Sequence, residues 1–204
     1  MHGKRYVIQM SPVRTGSTLV YNLLRRVLSD KTVIKDHKYR IAFGHLPIVA
    51  TVRDPFDAIA SIIRVNNLGN DQPGVEQACH IFRHHGADDI VRIRNKPNVL
   101  ILKYEVFIDS YDYIFSELER FMGISIAEDL KSELIGEFDI DNAKKIARHN
   151  DRFGEYDSET LIHGGHISER AKQAGYAVQM FSEQQIDAIV KAMPGYIQAF
   201  GYRV

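Results

Sequence analysis

Apolar positions along the chain follow two alternating periods. Tyr6–Met10 is a short apolar run closed by Ser11 and Pro12, the pattern of a buried strand. From Ser17 to Leu28, apolar residues recur at Leu19, Val20, Leu23, Leu24, Val27 and Leu28, a helical spacing. Thr32–Ile34 and Pro47–Val52 read as two further strands. A helix follows from Phe56 to about Arg64, with Pro55 suited to its first turn. The pattern then predicts a long helix over Glu76–Arg94, a strand over Asn98–Lys103 and a helix over Tyr111–Met122 stopped by Gly123. A last helix spans Ser182–Phe200, interrupted or ended near Pro194 and Gly195. Strands alternating with helices imply an α/β fold of three layers, a central, mainly parallel sheet flanked by helices. The stretch from about 140 to 175 is polar, lacks a clear period and contains Gly164 and Gly165. It is expected to be loop-rich and ordered by a ligand. No repeat, low-complexity tract or linker divides the 204 residues, so a single domain is expected.

Composition narrows the partners. Hydrophobic residues make up 45% of the chain and charged residues 25%, enough apolar material for a core without staples. Lys plus Arg and Asp plus Glu both total 26, so no global field draws nucleic acid or an anionic membrane, and any anion site must be built locally. Cys79 is the only cysteine, which excludes an intrachain disulfide and a cysteine-rich zinc site and makes core filler its expected role. No segment approaches the ~20 apolar residues needed to cross a bilayer. The N-terminus reaches turn residues too soon for a signal-peptide core, so a cytoplasmic location is expected.

Two segments carry candidate chemistry. Ser11–Leu19 (SPVRTGSTL) lies between the first strand and the first helix. Backbone amides of such a loop, backed by a helix N-terminus, cradle phosphate oxygens. Gly16 permits close approach, Ser17 and Thr18 add hydroxyls, and Arg14 adds a permanent charge. No lysine follows Gly16, so this is not the Walker loop of nucleotide kinases. A plain helix start capped by Thr15 or Ser17 is the bland alternative. In Val52–Ser61 (VRDPFDAIAS), Arg53 ends a predicted strand and Ser61 sits two turns into the next helix, a pairing that can grip a second phosphate at the carboxyl edge of the sheet. His80 and His84 share a helical face, but no Glu completes a metal-binding pattern, and no metal is expected.

In order, these segments resemble the sulfotransferase family. Val13–Leu19 resembles its 5′-phosphosulfate loop and Arg53–Ser61 its 3′-phosphate motif. Ile34–His37 resembles the segment ending in a catalytic histidine, and Leu102–Glu105 the strand end whose tyrosine, here Tyr104, approaches adenine. Phe121–Ile124 resembles the close of the following helix, and 170–175, with Arg170, Lys172 and Gly175, the late loop that folds over the 3′-phosphate. Arg14 stands where many members have lysine, and Leu19 where cytosolic members have a tryptophan against the base. The resemblance implies a P-loop-like fold and 3′-phosphoadenosine 5′-phosphosulfate (PAPS) as donor, with 3′-phosphoadenosine 5′-phosphate (PAP) as product. It also implies an acceptor hydroxyl or amine on a small molecule or carbohydrate. Arg14 and the amides near Gly16 would steady the leaving oxygen; Thr15, Ser17 and Thr18 would hold the 5′-phosphate; Arg53, Ser61 and Arg170 would hold the 3′-phosphate. His37 is the expected general base, with His45 or a carboxylate such as Glu105 as rivals.

Overall fold

The computed structural model describes residues 5–148, 155–164, 167 and 172–203. Four strands, β1 (Tyr6–Met10), β2 (Thr32–Asp36), β3 (Ile48–Val52) and β4 (Val99–Lys103), form one sheet in the order β2-β1-β3-β4. Every pairing is parallel, with Tyr6 opposite Thr32, Ile8 opposite Ile48, and Ile48 opposite Val99. β1 and β3 are the inner strands, and all five residues of β3 are buried, which is why its sequence is apolar throughout.

Helices cover both faces. On one, α1 (Ser17–Val27), the short α5 (Tyr104–Phe107), α6 (Tyr111–Met122) and α7 (Glu128–Glu137) bury Leu23, Leu24, Phe107, Phe115, Leu118 and Leu134 with Val7, Val49, Leu100 and Leu102 of the sheet. On the other, α2 (Pro55–Val65), α3 (Gln72–Phe82), α4 (Asp88–Ile93), α9 (Glu183–Ala192) and α10 (Pro194–Phe200) pack over Ile8, Met10, Ile48, Ala50 and Val52. This is the three-layer α/β arrangement that the alternating pattern predicts. Among the described residues, no helix is long and apolar enough to cross a membrane. Cys79 sits in the second core, where burial pushes its thiol up to about 11.

Most predicted elements recur within a residue or two, and the exceptions have physical causes. β2 runs on to Asp36, carrying Lys35 into the sheet. The long helix predicted over Glu76–Arg94 is broken by a π turn, Arg83–Ala87, where Gly86 takes φ 113. A Cβ there would stand 2.6 Å from the His37 carbonyl oxygen and 3.0 Å from the backbone of Pro12, so only glycine lets the helix pass the strand ends so closely. The His85 carbonyl exposed by the turn accepts from the Val13 N–H at 3.2 Å, tying the broken helix to the first loop. The last predicted helix divides at Met193, before Pro194.

The segment expected to be loop-rich from about 140 begins instead with a helix, α8 (Ile140–Arg148). Asp139 caps it, accepting from the Asn142 N–H at 2.7 Å, and Ile140, Ala143 and Ala147 share one face. With four apolar residues in nine, the run is too short for its helical period to stand out. Beyond it, 155–164 folds back through a bridge between Tyr156 and His163, and Asp157 accepts from the N–H and hydroxyl of Thr160.

Candidate active site

Each strand delivers a candidate residue just past its carboxyl end: Ser11 after β1, His37 after β2, Arg53 after β3 and Tyr104 after β4. A parallel sheet gathers these ends at one edge, where ligands of open α/β sheets bind. A cleft opens there. Its polar half is lined by Arg14, Thr18, Arg53, Ser61 and Arg64, and its apolar half by Leu19, Ile108, Phe138, Ile140, Ile162 and Ile167.

The first loop is shaped by two unusual conformations. Gly16, at φ 80, caps α1, and a Cβ on it would meet the rings of Phe107 and Tyr104 at 2.8 Å. Arg14, at φ 66, adopts the left-handed region without glycine's freedom, a backbone cost that sites commonly carry. That turn carries its guanidinium across to α2, where Nε donates to Ser61 Oγ at 2.9 Å. Burial first, then the nearby Arg64 and Arg53 charges, push Arg14 down to about 9, so it remains a cation at neutral pH.

Arg53 is 7% exposed, its guanidinium 4.2 Å above the Tyr104 ring and 3.7 Å from Asp57. Its Nε is buried with no hydrogen-bond partner. Asp57 is fully buried and also accepts from the N–H groups of Gly175 and Ala177 at 2.8 and 3.0 Å. Three arginines lining one cleft with Ser61, with one buried donor unused, form a site short of negative charge, the setting an anion completes.

Lys35, which the sequence singles out for no role, stands behind Thr18 of the same cleft. Its Nζ donates to Thr18 Oγ1 at 2.7 Å, and burial, then Arg14, lower it to about 8. The period-two side choice of a strand was its only signal. Arg64 could have been found, since it follows Ser61 by three residues on the same helix face.

His37 lies past the end of β2, its Nδ1 2.8 Å from the Ser11 carbonyl oxygen. A carbonyl only accepts, so Nδ1 carries the proton and Nε2 keeps its lone pair. Burial chiefly lowers its pKa; Lys35 and His85 push the same way, while Asp36 and the Ser11 contact oppose them.

Other expected residues fall elsewhere. The Thr15 hydroxyl donates to the Pro12 carbonyl at 2.8 Å and meets Thr51 Oγ1 at 2.7 Å, so it braces the loop from beneath rather than facing the cleft. Ser17, Thr18 and Gly16 open α1 as the loop reading requires, and Leu19 lines the apolar half. Gly175 is brought beside Arg53 through Asp57, whereas Lys172 lines a neighbouring depression with Asp109, Asp112 and Asp139. Arg170 lies outside the described residues. His45 precedes β3, and Asn98, just before β4, donates to the Gly44 and Leu46 carbonyls on either side of it. It therefore stands at the amino edge of the sheet, opposite the cleft. Glu105 accepts from the Asp54 N–H at 2.6 Å and the Tyr202 hydroxyl at 3.3 Å, a bracing position. The rings of His80 and His84 meet at a tilt, 4.0 Å apart, and no group of three or more metal-ligating side chains occurs among the described residues.

No protein-family model and no curated protein matches this sequence. Solved structures do. Retinol dehydratase in complex with androsterone and inactive cofactor PAP superposes with a TM-score of 0.67 at 13% identity, covering 98% of this chain and 82% of that one. Mouse sulfotransferase SULT7A1 complexed with PAP gives 0.67 at 13% identity, over 97% and 88%. Retinol dehydratase with retinol and PAP gives 0.68 at 14%, over 98% and 83%. The chain has the sulfotransferase fold.

Proposed function

We propose that this protein is a sulfotransferase that moves the sulfuryl group of PAPS onto a hydroxyl or amine of a small-molecule or carbohydrate acceptor. The observation that carries this reading is the convergence of Arg14, Arg53, Arg64 and Ser61 on one half of a cleft whose other half is apolar. A nucleotide phosphorylated at both ends of its ribose needs both halves, cations for phosphate and an apolar slot for the base. Fold neighbours carrying PAP support the same donor.

In this reading Arg53, Ser61 and Gly175 hold the 3′-phosphate. The amides after Gly16 with Ser17, Thr18 and Lys35 hold the 5′-phosphate, and Tyr104 and Leu19 flank the nucleoside. The acceptor oxygen or nitrogen attacks sulfur in line as the bond from sulfur to the bridging oxygen breaks, leaving PAP. Lys35, Arg14 and the loop amides balance the charge growing on that oxygen, and His37 Nε2 takes the acceptor proton.

Calorimetric titration with PAP and with ATP, with and without magnesium, tests the donor. Metal-independent binding of PAP in preference to ATP is expected; magnesium-dependent preference for ATP would sink the reading. Transfer of ³⁵S from PAPS across an acceptor panel then separates an enzyme from a protein that only binds.

The lowered Lys35 makes PAP affinity depend on pH in a defined direction. Its ammonium is the form that binds phosphate, and in the free protein it is lost above about 8. Binding above that pH must take up a proton, so affinity is expected to fall up to about tenfold per pH unit there. Arg14 adds to the loss only above about 9. Lys35→Arg, which keeps its charge, should remove the limb between pH 8 and 9; an unchanged profile would assign the titration elsewhere.

A further inference from the structure

Arg53 is the first residue past the β3–β4 ladder, which ends with Val52 opposite Lys103. Its peptide groups therefore have no strand partner, although the residue is buried. One side chain serves both. The Arg53 N–H donates to the Tyr196 hydroxyl at 3.1 Å, and that hydroxyl donates to the Arg53 carbonyl at 3.1 Å. The next peptide is held too: the Asp54 N–H donates to Glu105 Oε1 at 2.6 Å, and Glu105 Oε2 accepts from Tyr202.

Tyr196 is itself fixed from three sides. It is 3% exposed, meets Phe82 and Phe200 edge-on at 5.2 and 4.8 Å, and stacks on Tyr202 at 6.0 Å. Lys103 Nζ closes the assembly by donating to the Phe200 carbonyl at 2.6 Å. Burial raises both tyrosines well above the ordinary phenol range, so they stay neutral donors.

The Arg53 side chain has little of its own to direct it. Nε is unpartnered, the Arg14 carbonyl lies 3.5 Å from one terminal nitrogen, and Asp57 lies 3.7 Å from the other. The direction of the guanidinium over Tyr104 thus depends on where the backbone of Arg53 is anchored.

We infer that Tyr196 and Tyr202 are positioning residues of the donor site, in which the C-terminal segment grips the Arg53–Asp54 backbone and thereby aims the guanidinium at the 3′-phosphate. This rests on the donor reading above. It assigns a ligand-selective role to a C-terminal segment that contributes none of the residues lining the cleft.

The test compares PAP with AMP, which lacks the 3′-phosphate, by calorimetric titration of the full chain. Wild type is expected to prefer PAP by about 1,000-fold, within the worth of a charge-assisted pair of hydrogen bonds. Tyr196→Phe should cut that preference about tenfold while AMP affinity stays within about twofold, as fits loss of two hydrogen bonds that aim a remote group. Tyr202→Phe should move the preference the same way by a smaller factor, and it carries the test if Tyr196→Phe fails to fold. Melting temperatures are recorded for each variant. A lowered melting temperature with an unchanged PAP-to-AMP ratio in the folded variants would overturn the inference and leave the tyrosines purely structural. A wild type without preference for PAP would overturn the donor reading and the inference with it.

Discussion

Arg53→Ala is expected to weaken PAP binding by two to three orders of magnitude, the largest effect of any single change in the cleft. Each hydrogen bond to a charged group is worth about 1.5–3 kcal/mol, and a fork supplies two. At about 1.4 kcal/mol per decade the pair is worth roughly 100- to 10,000-fold in Kd, and the lower half of that range is expected because Arg14 and Arg64 remain on the wall. The environment favours this size because the guanidinium is buried, carries an unused Nε and shares the wall with Arg14 and Arg64. Stability should change less. Asp57 keeps its two backbone donors, Gly175 and Ala177, and repulsion among the three arginines is relieved. Arg53→Lys should recover part of the affinity only, since an ammonium cannot make the fork or lie flat on Tyr104. A folded Arg53→Ala protein binding PAP within tenfold of wild type would remove Arg53 from the donor site.

His37→Ala is expected to reduce sulfuryl transfer about 10²- to 10⁴-fold, the usual worth of a positioned base, while leaving PAP affinity nearly unchanged. The separation follows from position: His37 follows β2, and none of the residues lining the cleft is His37. The pH profile supplies a second reading. Because burial lowers its pKa, neutral imidazole is already the major form at pH 7. The rate should therefore be flat from pH 7 to 8 and fall only on the acid side, as Nε2 becomes protonated. Single-turnover transfer from PAPS, with Kd measured in parallel, checks both points. Transfer that survives in His37→Ala would move the base to another group. His45 is a poor substitute because it lies at the far edge of the sheet, and Glu105 because both its oxygens are engaged by Asp54 and Tyr202.

The order of the layers and the place of the site are written in the local pattern of the chain. Period-two and period-3.6 patterns need no distant contact, so β1, α1, β3, α2, β4 and α6 are legible residue by residue. Because successive strands in such a pattern run parallel, the residues that follow them meet at one edge whatever their spacing in the chain. That rule alone groups Ser11, His37, Arg53 and Tyr104. Gly16 and Gly123 also mark their turns, since φ at each is positive and glycine bears that without strain, whereas Gly86 lies unmarked inside the predicted long helix.

What those residues touch is settled by packing across the whole chain. Thr15 and Thr18 look alike in sequence, but one hydroxyl closes beneath the loop on Thr51 while the other meets Lys35. Lys35 and Lys172 are both lysines near motif residues, yet one donates to Thr18 of the cleft and the other lies among aspartates. The apolar half of the cleft joins Leu19, Ile108, Phe138 and Ile162, residues separated by most of the chain, and no periodicity links them. The grip of Tyr196 on Arg53 spans 143 positions and answers a need that appears only when the β3 ladder ends one residue early for Arg53. Local spacing determines which face of an element is apolar. Which buried donor lacks a partner, and which distant side chain supplies it, depends on packing, because hydrogen-bond satisfaction is a property of the assembled interior.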